Sequence, residues 1–137
     1  MAVSTFPTRT SKSLPEWNRV LFAHVNVLLE GEHEMTDEAV LRLLPHLRSP
    51  ILYRKPGEEL TFVSEGSVIL RDVDRLCKSE QMRLHEWLDN KPDSIQTVAT
   101  TESPLFSLVQ GGQFERDLYY HLNVILLRLE GASESPA

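Results

Sequence analysis

An α/β domain built on a mostly parallel sheet follows from three features of this 137-residue chain. Short apolar runs alternate with amphipathic stretches of about ten residues, the pattern of strands joined by covering helices. Two of the runs, 25–29 and 67–70, are apolar enough to be buried on both faces, as strands of a parallel sheet are. Turn formers punctuate the boundaries at Glu30-Gly31, Pro56-Gly57 and Gly111-Gly112. The expectation is a three-layer α/β/α arrangement with a mostly parallel sheet of four or five strands.

Residues 1–12 are polar, rich in Ser and Thr and interrupted by Pro7, which predicts a mobile N-terminal tail. Residues 131–137 form the C-terminal counterpart, leaving 13–130 as one domain. Ser13-Leu14-Pro15-Glu16 has the form of a capping box with proline in the first turn. A helix over 14–24 follows, with Trp17, Val20, Leu21 and His24 along one side. The strand at 25–29 ends at Glu30-Gly31. Thr36 is placed to cap a helix reaching Leu47, with Asp37 and Glu38 in its positive first turn. Val40, Leu43, Leu44 and Leu47 supply its apolar stripe, and Pro45 predicts an early end or a kink.

Residues 51–53 and 60–63 are strand-like pieces around Pro56-Gly57. After the strand at 67–70, an amphipathic helix over 78–89 carries Met82, Leu84, His85, Trp87 and Leu88. A strand at 95–100 precedes a short helix opened by Ser103-Pro104 and closed by Gly111-Gly112. One further helical turn over 117–122 and a strand at 124–129 complete the domain.

Composition excludes several function classes. Apolar and charged shares of 41% and 25% are those of a globular domain, and the length suffices for one core, not two. No window of about eighteen consecutive apolar residues exists, so no membrane span is expected. No apolar run follows a basic start, so no secretory signal is expected. Cys77, the sole cysteine, precludes an internal disulfide and suits a reducing cytoplasm. It reads as a small, partly buried residue at a helix entry. Net charge is −6 without a Lys/Arg cluster, whereas a nucleic-acid binder needs a basic face. No direct nucleic-acid contact is expected.

Several constellations read as ordinary structure. His33-Glu34-x-x-Asp37 has the opening of a zinc-protease helix but lacks its closing histidine, and reads as a solvated acidic loop within the run Glu30, Glu32, Glu34, Asp37 and Glu38. His24 and His85 read as packed or boundary histidines. No Gly-x-Ser-x-Gly elbow frames a serine nucleophile. For Tyr119-Tyr120 the expectation is one buried ring and one ring at a protein contact.

The segment 112–124, Gly-Gln-Phe-Glu-Arg-Asp-Leu-Tyr-Tyr-His-Leu-Asn-Val, is the most specific stretch. It resembles the arginine-finger segment of the AAA+ ATPase domain of sigma-54-dependent transcriptional activators, which reads Gly-x-Phe-Arg-x-Asp-Leu-Tyr-Tyr-Arg-Leu-Asn-Val. Upstream, Gly66-Ser67-Val68-Ile69-Leu70-Arg71-Asp72-Val73 is similar to the family's Walker B strand, Gly-Thr-Leu-Phe-Leu-Asp-Glu-Ile. Leu76, Gln81, Leu84 and Leu88 match the helix after it, and Val98-Ala99-Thr100-Thr101-Glu102 resembles Ile-Ala-Ala-Thr-Asn. Val27-Leu28-Leu29-Glu30-Gly31-Glu32 resembles the first strand and its turn, and 38–44 the helix that follows. The resemblance implies a P-loop, AAA+-like core without the helical lid.

It also implies where nucleotide chemistry would sit, and there the residues differ. A phosphate loop needs glycines whose backbone N–H groups wrap the phosphates and a lysine for the β- and γ-phosphates. In Gly31-Glu32-His33-Glu34-Met35-Thr36-Asp37-Glu38 only Gly31 remains of the glycines, and Asp37 takes the lysine position. Like charges at about 4 Å and an effective dielectric near 20 repel by roughly 4 kcal/mol, a loss of about a thousandfold in affinity. Arg71 replaces the magnesium-binding aspartate and Asp72 the water-polarising glutamate. Glu102 takes the place of the asparagine after the next strand. Glu115 and His121 replace the two arginine fingers, while Arg116 lies one residue off.

The family's sigma-factor loop, Gly-Ala-Phe-Thr-Gly-Ala, has no counterpart between Leu47 and Ser67, and the expectation is a domain without the family's helical lid and helix-turn-helix. The resemblance therefore implies a pseudo-ATPase without cofactor or metal, acting as a cytoplasmic protein-interaction or regulatory module in bacterial transcription. Phe114, Arg116, Tyr119 and Tyr120 are the candidate contact residues. The implied partner is a protein: another copy, an activator ring or the sigma-54 machinery. A weak nucleotide-binding or ATPase domain using altered residues is the alternative.

Overall fold

The computed structural model describes residues 2–7, 25–61 and 64–130. Six strands form one sheet: β1 (Ala2–Pro7), β2 (Val27–Glu30), β3 (Ile51–Arg54), β4 (Ser67–Leu70), β5 (Gln96–Thr101) and β6 (Ile125–Glu130). Their order is β1-β6-β2-β5-β4-β3, and every pairing is parallel. The helices are α1 (His33–Leu43), α2 (Lys78–Asn90), α3 (Leu105–Gln110) and α4 (Arg116–Leu122).

The two-residue period of a strand divides the core into two layers. Leu28 joins Val68, Leu70, Ala99 and Leu126 beneath Leu84 and Leu88 of α2, Leu105 of α3 and Leu118 and Leu122 of α4. Val27 and Leu29 point the other way, where Ile69, Val98 and Leu127 meet Ala39, Val40 and Leu43 of α1. Helices therefore cover both faces, the expected three-layer arrangement. β5 is buried throughout despite Gln96, Thr97, Thr100 and Thr101. Several of these polar groups have partners: Gln96 Nε2 donates to the Val25 carbonyl at 2.9 Å, and Thr101 Oγ1 to that of Ser103 at 2.6 Å. Gly66 enters β4 at φ 105°, and a Cβ there would lie 2.1 Å from the Pro50 carbonyl oxygen. Only glycine fits that approach.

The sheet has more strands than expected, because residues 2–7 of the predicted tail run beside β6, from Ala2 opposite Ile125 to Pro7 opposite Glu130. An outer strand satisfies the backbone edge that β6 would otherwise expose, and proline is tolerated at such an edge. The predicted helix over 14–24, with Trp17 and His24, lies outside the described residues, as do 131–137. Leu60 and Thr61 are not in a strand, and 62–63 lie outside the description.

α1 begins at His33, three residues before the expected cap. Thr36 is buried inside the helix and its hydroxyl donates to the His33 carbonyl at 3.1 Å. α1 stops at Leu43, where Pro45 diverts the chain into a single tighter turn, Leu44–His46. On α2 the buried stripe is Gln81, Leu84 and Leu88, and Met82 faces solvent, turned off that stripe by the helical period. Trp87 sits at the core edge, its indole N–H donating to the Thr61 carbonyl at 2.9 Å. Cys77 is exposed at the start of α2 rather than partly buried.

Gln81 ties α2 to the segment before α4. Its Nε2 donates to the carbonyls of Leu76 (3.1 Å) and Gln113 (3.0 Å), and its Oε1 accepts from the Glu115 N–H at 2.9 Å. Gln81→Ala leaves all three groups without that partner, and the unfolding free energy measured in urea is expected to fall by about 2–4 kcal/mol.

Glu80 accepts the Cys77 N–H at 2.9 Å, and that bond holds its carboxyl below its ordinary value of 4.5. A depressed folded-state pKa contributes stability that is present above 4.5 and lost as pH falls through the folded value. Glu80→Ala should therefore lower Tm at neutral pH, and the gap from the parent protein should close in acid.

Candidate functional site

Strands β2, β4 and β5 end on one rim of the sheet, where open parallel sheets place their ligand sites. The turn after β2 is Gly31-Glu32, and α1 starts at once. The N–H groups of Met35 and Thr36 both donate to the Glu32 carbonyl, at 2.9 and 3.0 Å. These two N–H groups are spent inside the helix. Gly31 has a packing reason of its own. A Cβ there would lie 3.1 Å from Leu129 Cβ and 3.2 Å from the Leu129 carbonyl oxygen, while its N–H donates to the Thr101 carbonyl at 3.0 Å.

The residues expected at the nucleotide positions meet one another. Arg71, its side chain only 14% exposed, pairs with the Asp37 carboxylate. The next residue, Asp72, is left-handed at φ 53°, a conformation Asp tolerates better than most. Its N–H donates to Thr100 Oγ1 at 3.0 Å. Its carboxylate lies 2.9 Å from His33 Nε2, with Glu102 3.8 Å from the same nitrogen. His33 and Asp37 thus stand on the first turns of a helix rather than in an acidic loop. They face separate partners, four residues apart along one side.

Other acids of the run are also engaged. Glu38 pairs with Arg42 at 3.2 Å, and Glu30 with Arg128 at 3.0 Å. A cleft of about 440 Å³ opens beside Arg71, lined by Arg54, Leu60, Leu84 and Trp87 among others. Arg71 lines it as well, whereas Gly31, Asp37, Asp72 and Glu102 do not.

The finger positions form a second group on the seam of α2 and α4. Glu115 Oε1 lies 3.2 Å from His85 Nδ1, and His121 Nε2 lies 3.0 Å from Asp89 Oδ1. The His85 and His121 rings meet edge-on, with centroids 5.1 Å apart. Arg116 and Tyr120 are exposed. Two of the candidate contact residues, Phe114 just before α4 and Tyr119 on α4, are instead buried in the core cluster, and Tyr119 is the buried ring of the tyrosine pair. Burial also pushes the Tyr119 phenol above its ordinary value of 10. Only the Tyr120 ring remains open to solvent.

His33 and the pair His85 and Asp89 are the members that sequence reasoning passed over. The four-residue spacing of His85 and Asp89 could have flagged a shared helix face. Nothing local places Asp72 beside His33 or His121 beside Asp89.

A parallel sheet covered on both faces, with charged residues gathered beyond the ends of β2, β4 and β5, defines a P-loop-like α/β core. The Sigma-54 interaction domain family matches residues 16–131, and the chain belongs to that family. It is 30% identical over 78 residues to the pathogenicity locus protein WtsA of Pantoea stewartii, covering 49% of this chain and 24% of that protein. Identity to HrpR of Pseudomonas syringae is 32% over 75 residues, covering 47% and 24%. Identity to the HTH-type transcriptional regulatory protein TyrR of Enterobacter agglomerans is 31% over 75 residues, covering 47% and 14%. The chain thus spans a quarter or less of these relatives. NtrX from Brucella abortus, crystallised with ATP, superposes with a TM-score of 0.67 at 16% identity, over 83% of this chain and 33% of that one. At that identity the likeness establishes the fold.

The Asp37–Arg71 pair makes a prediction by exchange. Arg71→Asp sets two carboxylates against each other and should cost about 1–2 kcal/mol, moderated by solvent around Asp37. Arg71→Asp combined with Asp37→Arg should recover most of that loss in a thermal double-mutant cycle.

Proposed function

We propose that this chain is a non-catalytic protein-interaction module acting in bacterial transcription regulation in the cytoplasm. One observation carries the reading: the charged rim residues stand against one another rather than facing an open site. Asp37 neutralises Arg71, and His33 lies between Asp72 and Glu102. A triphosphate with magnesium needs cations and outward N–H groups toward the phosphates, and a carboxylate toward the metal. In this reading the rim presents the charges in the reverse sense. Family membership and the transcriptional regulator TyrR among the relatives support the regulatory setting.

The partner is a protein: a second copy, an activator ring or the sigma-54 machinery. The surface proposed for it is the exposed side of the finger segment, around Arg116 and Tyr120. No helix among the described residues is long and apolar enough to cross a membrane.

Calorimetric titration of the full chain with ATP and Mg²⁺ tests the central claim. No saturable heat is expected at millimolar nucleotide. Saturable micromolar binding would favour a weak nucleotide-binding domain working through altered residues, and would overturn the reading.

A further inference from the structure

The seam between α2 and α4 gathers donors that neither the fold nor the rim uses. His85 and Asp89 stand one helical turn apart on α2, and His121 reaches them from the last turn of α4. One donor atom from each of the three lies within 4.8 Å of the others. His121 Nε2 is 3.0 Å from Asp89 Oδ1, and His85 Nε2 is 3.8 Å from Asp89 Oδ2. We propose that His85, Asp89 and His121 bind one divalent transition-metal ion, zinc above all, leaving a fourth position open.

Zinc bonds to imidazole nitrogen and carboxylate oxygen are about 2.0–2.2 Å, so tetrahedral ligands stand about 3.3–3.5 Å apart. The two separations, each to a different oxygen of Asp89, bracket that value, and with all three donor atoms within 4.8 Å of one another, side-chain movements of about an ångström close the set. Two imidazoles and a carboxylate suit zinc among the common divalent ions, while magnesium and calcium prefer all-oxygen sites. Glu115 supplies the outer partner that metal-bound histidines have. Its Oε1 lies 3.2 Å from His85 Nδ1, which places the proton on Nδ1 and leaves the Nε2 lone pair for the metal.

The histidines border a wide, shallow basin with Asn26, Asp117, Tyr120 and Val124, so an ion can enter from solvent. The site stands apart from the rim, and its existence does not depend on whether nucleotide binds there.

Zinc titration of the chelator-stripped full chain, with Co²⁺ as a spectroscopic probe, tests the site. One equivalent is expected to bind at about micromolar Kd or tighter, with the visible absorption of four-coordinate Co²⁺. Asp89→Asn, at an exposed position, and His121→Gln, at a half-buried one, should each weaken binding at least about tenfold, and Glu115→Gln by about 10–100-fold. Cys77→Ser should leave binding unchanged, because that exposed thiol is the obvious rival ligand. Far-UV circular dichroism checks that each variant folds. Absence of saturable binding, binding lost with Cys77→Ser, or binding that survives both Asp89→Asn and His121→Gln in folded protein would overturn the proposal.

Discussion

Burial of β2, β4 and β5 between two helical layers is the constraint from which the remaining structure follows. Water does not reach these strands, so their backbone groups must pair laterally and their side chains must find apolar partners above and below. Parallel neighbours can be joined only by crossovers, which supply the covering helices. The same geometry delivers the ends of the three strands to a single rim. Gly31, Arg71 and Glu102 become neighbours there although long stretches of chain separate them.

That rim separates what a fold requires from what a ligand requires. The core fixes where the residues after each strand emerge, but their side chains project beyond it. For folding, Asp37 on α1 and Arg71 after β4 need only pair, and they do. A bound triphosphate makes a stricter demand, because phosphate and metal each need a charge of given sign at a given place. The turn at Gly31-Glu32 follows the same division. Its glycine leaves room for the close approach of Leu129, and the Met35 and Thr36 N–H groups bond back to Glu32 within the helix.

The seam of α2 and α4 is organised by depth. Gln81, His85 and Asp89 lie on successive turns of α2 and pass from buried to half-buried to exposed. Gln81 uses its whole carboxamide to anchor the segment that leads into α4. That anchor brings Glu115 and His121 over the outer two residues. The scaffold of the finger segment is therefore held from inside, while its outward chemistry is set by four side chains that packing leaves free to vary.

Sequence alone determined the alternation of strands and helices, the stop at Pro45, the short helix between Pro104 and Gly111, and the identity of the residues at the rim. The first three follow from periodicity and local backbone preference, which act over a few residues, and the rim residues from the resemblance to the family's motifs. It misjudged the start of α1, since Thr36 serves a helix interior as well as a cap once Glu32 leads directly into the turn. It misjudged residues 2–7 because an edge strand is stabilised by its neighbour and needs little apolar character of its own. Phe114 and Tyr119 read as contact residues, and only packing turned them inward. The pairing of Asp37 with Arg71, of His33 with Asp72, and of His121 with Asp89 was decided by the tertiary structure. Through-space contacts depend on which strand ends and helix faces the core brings together, and no local rule along the chain encodes that.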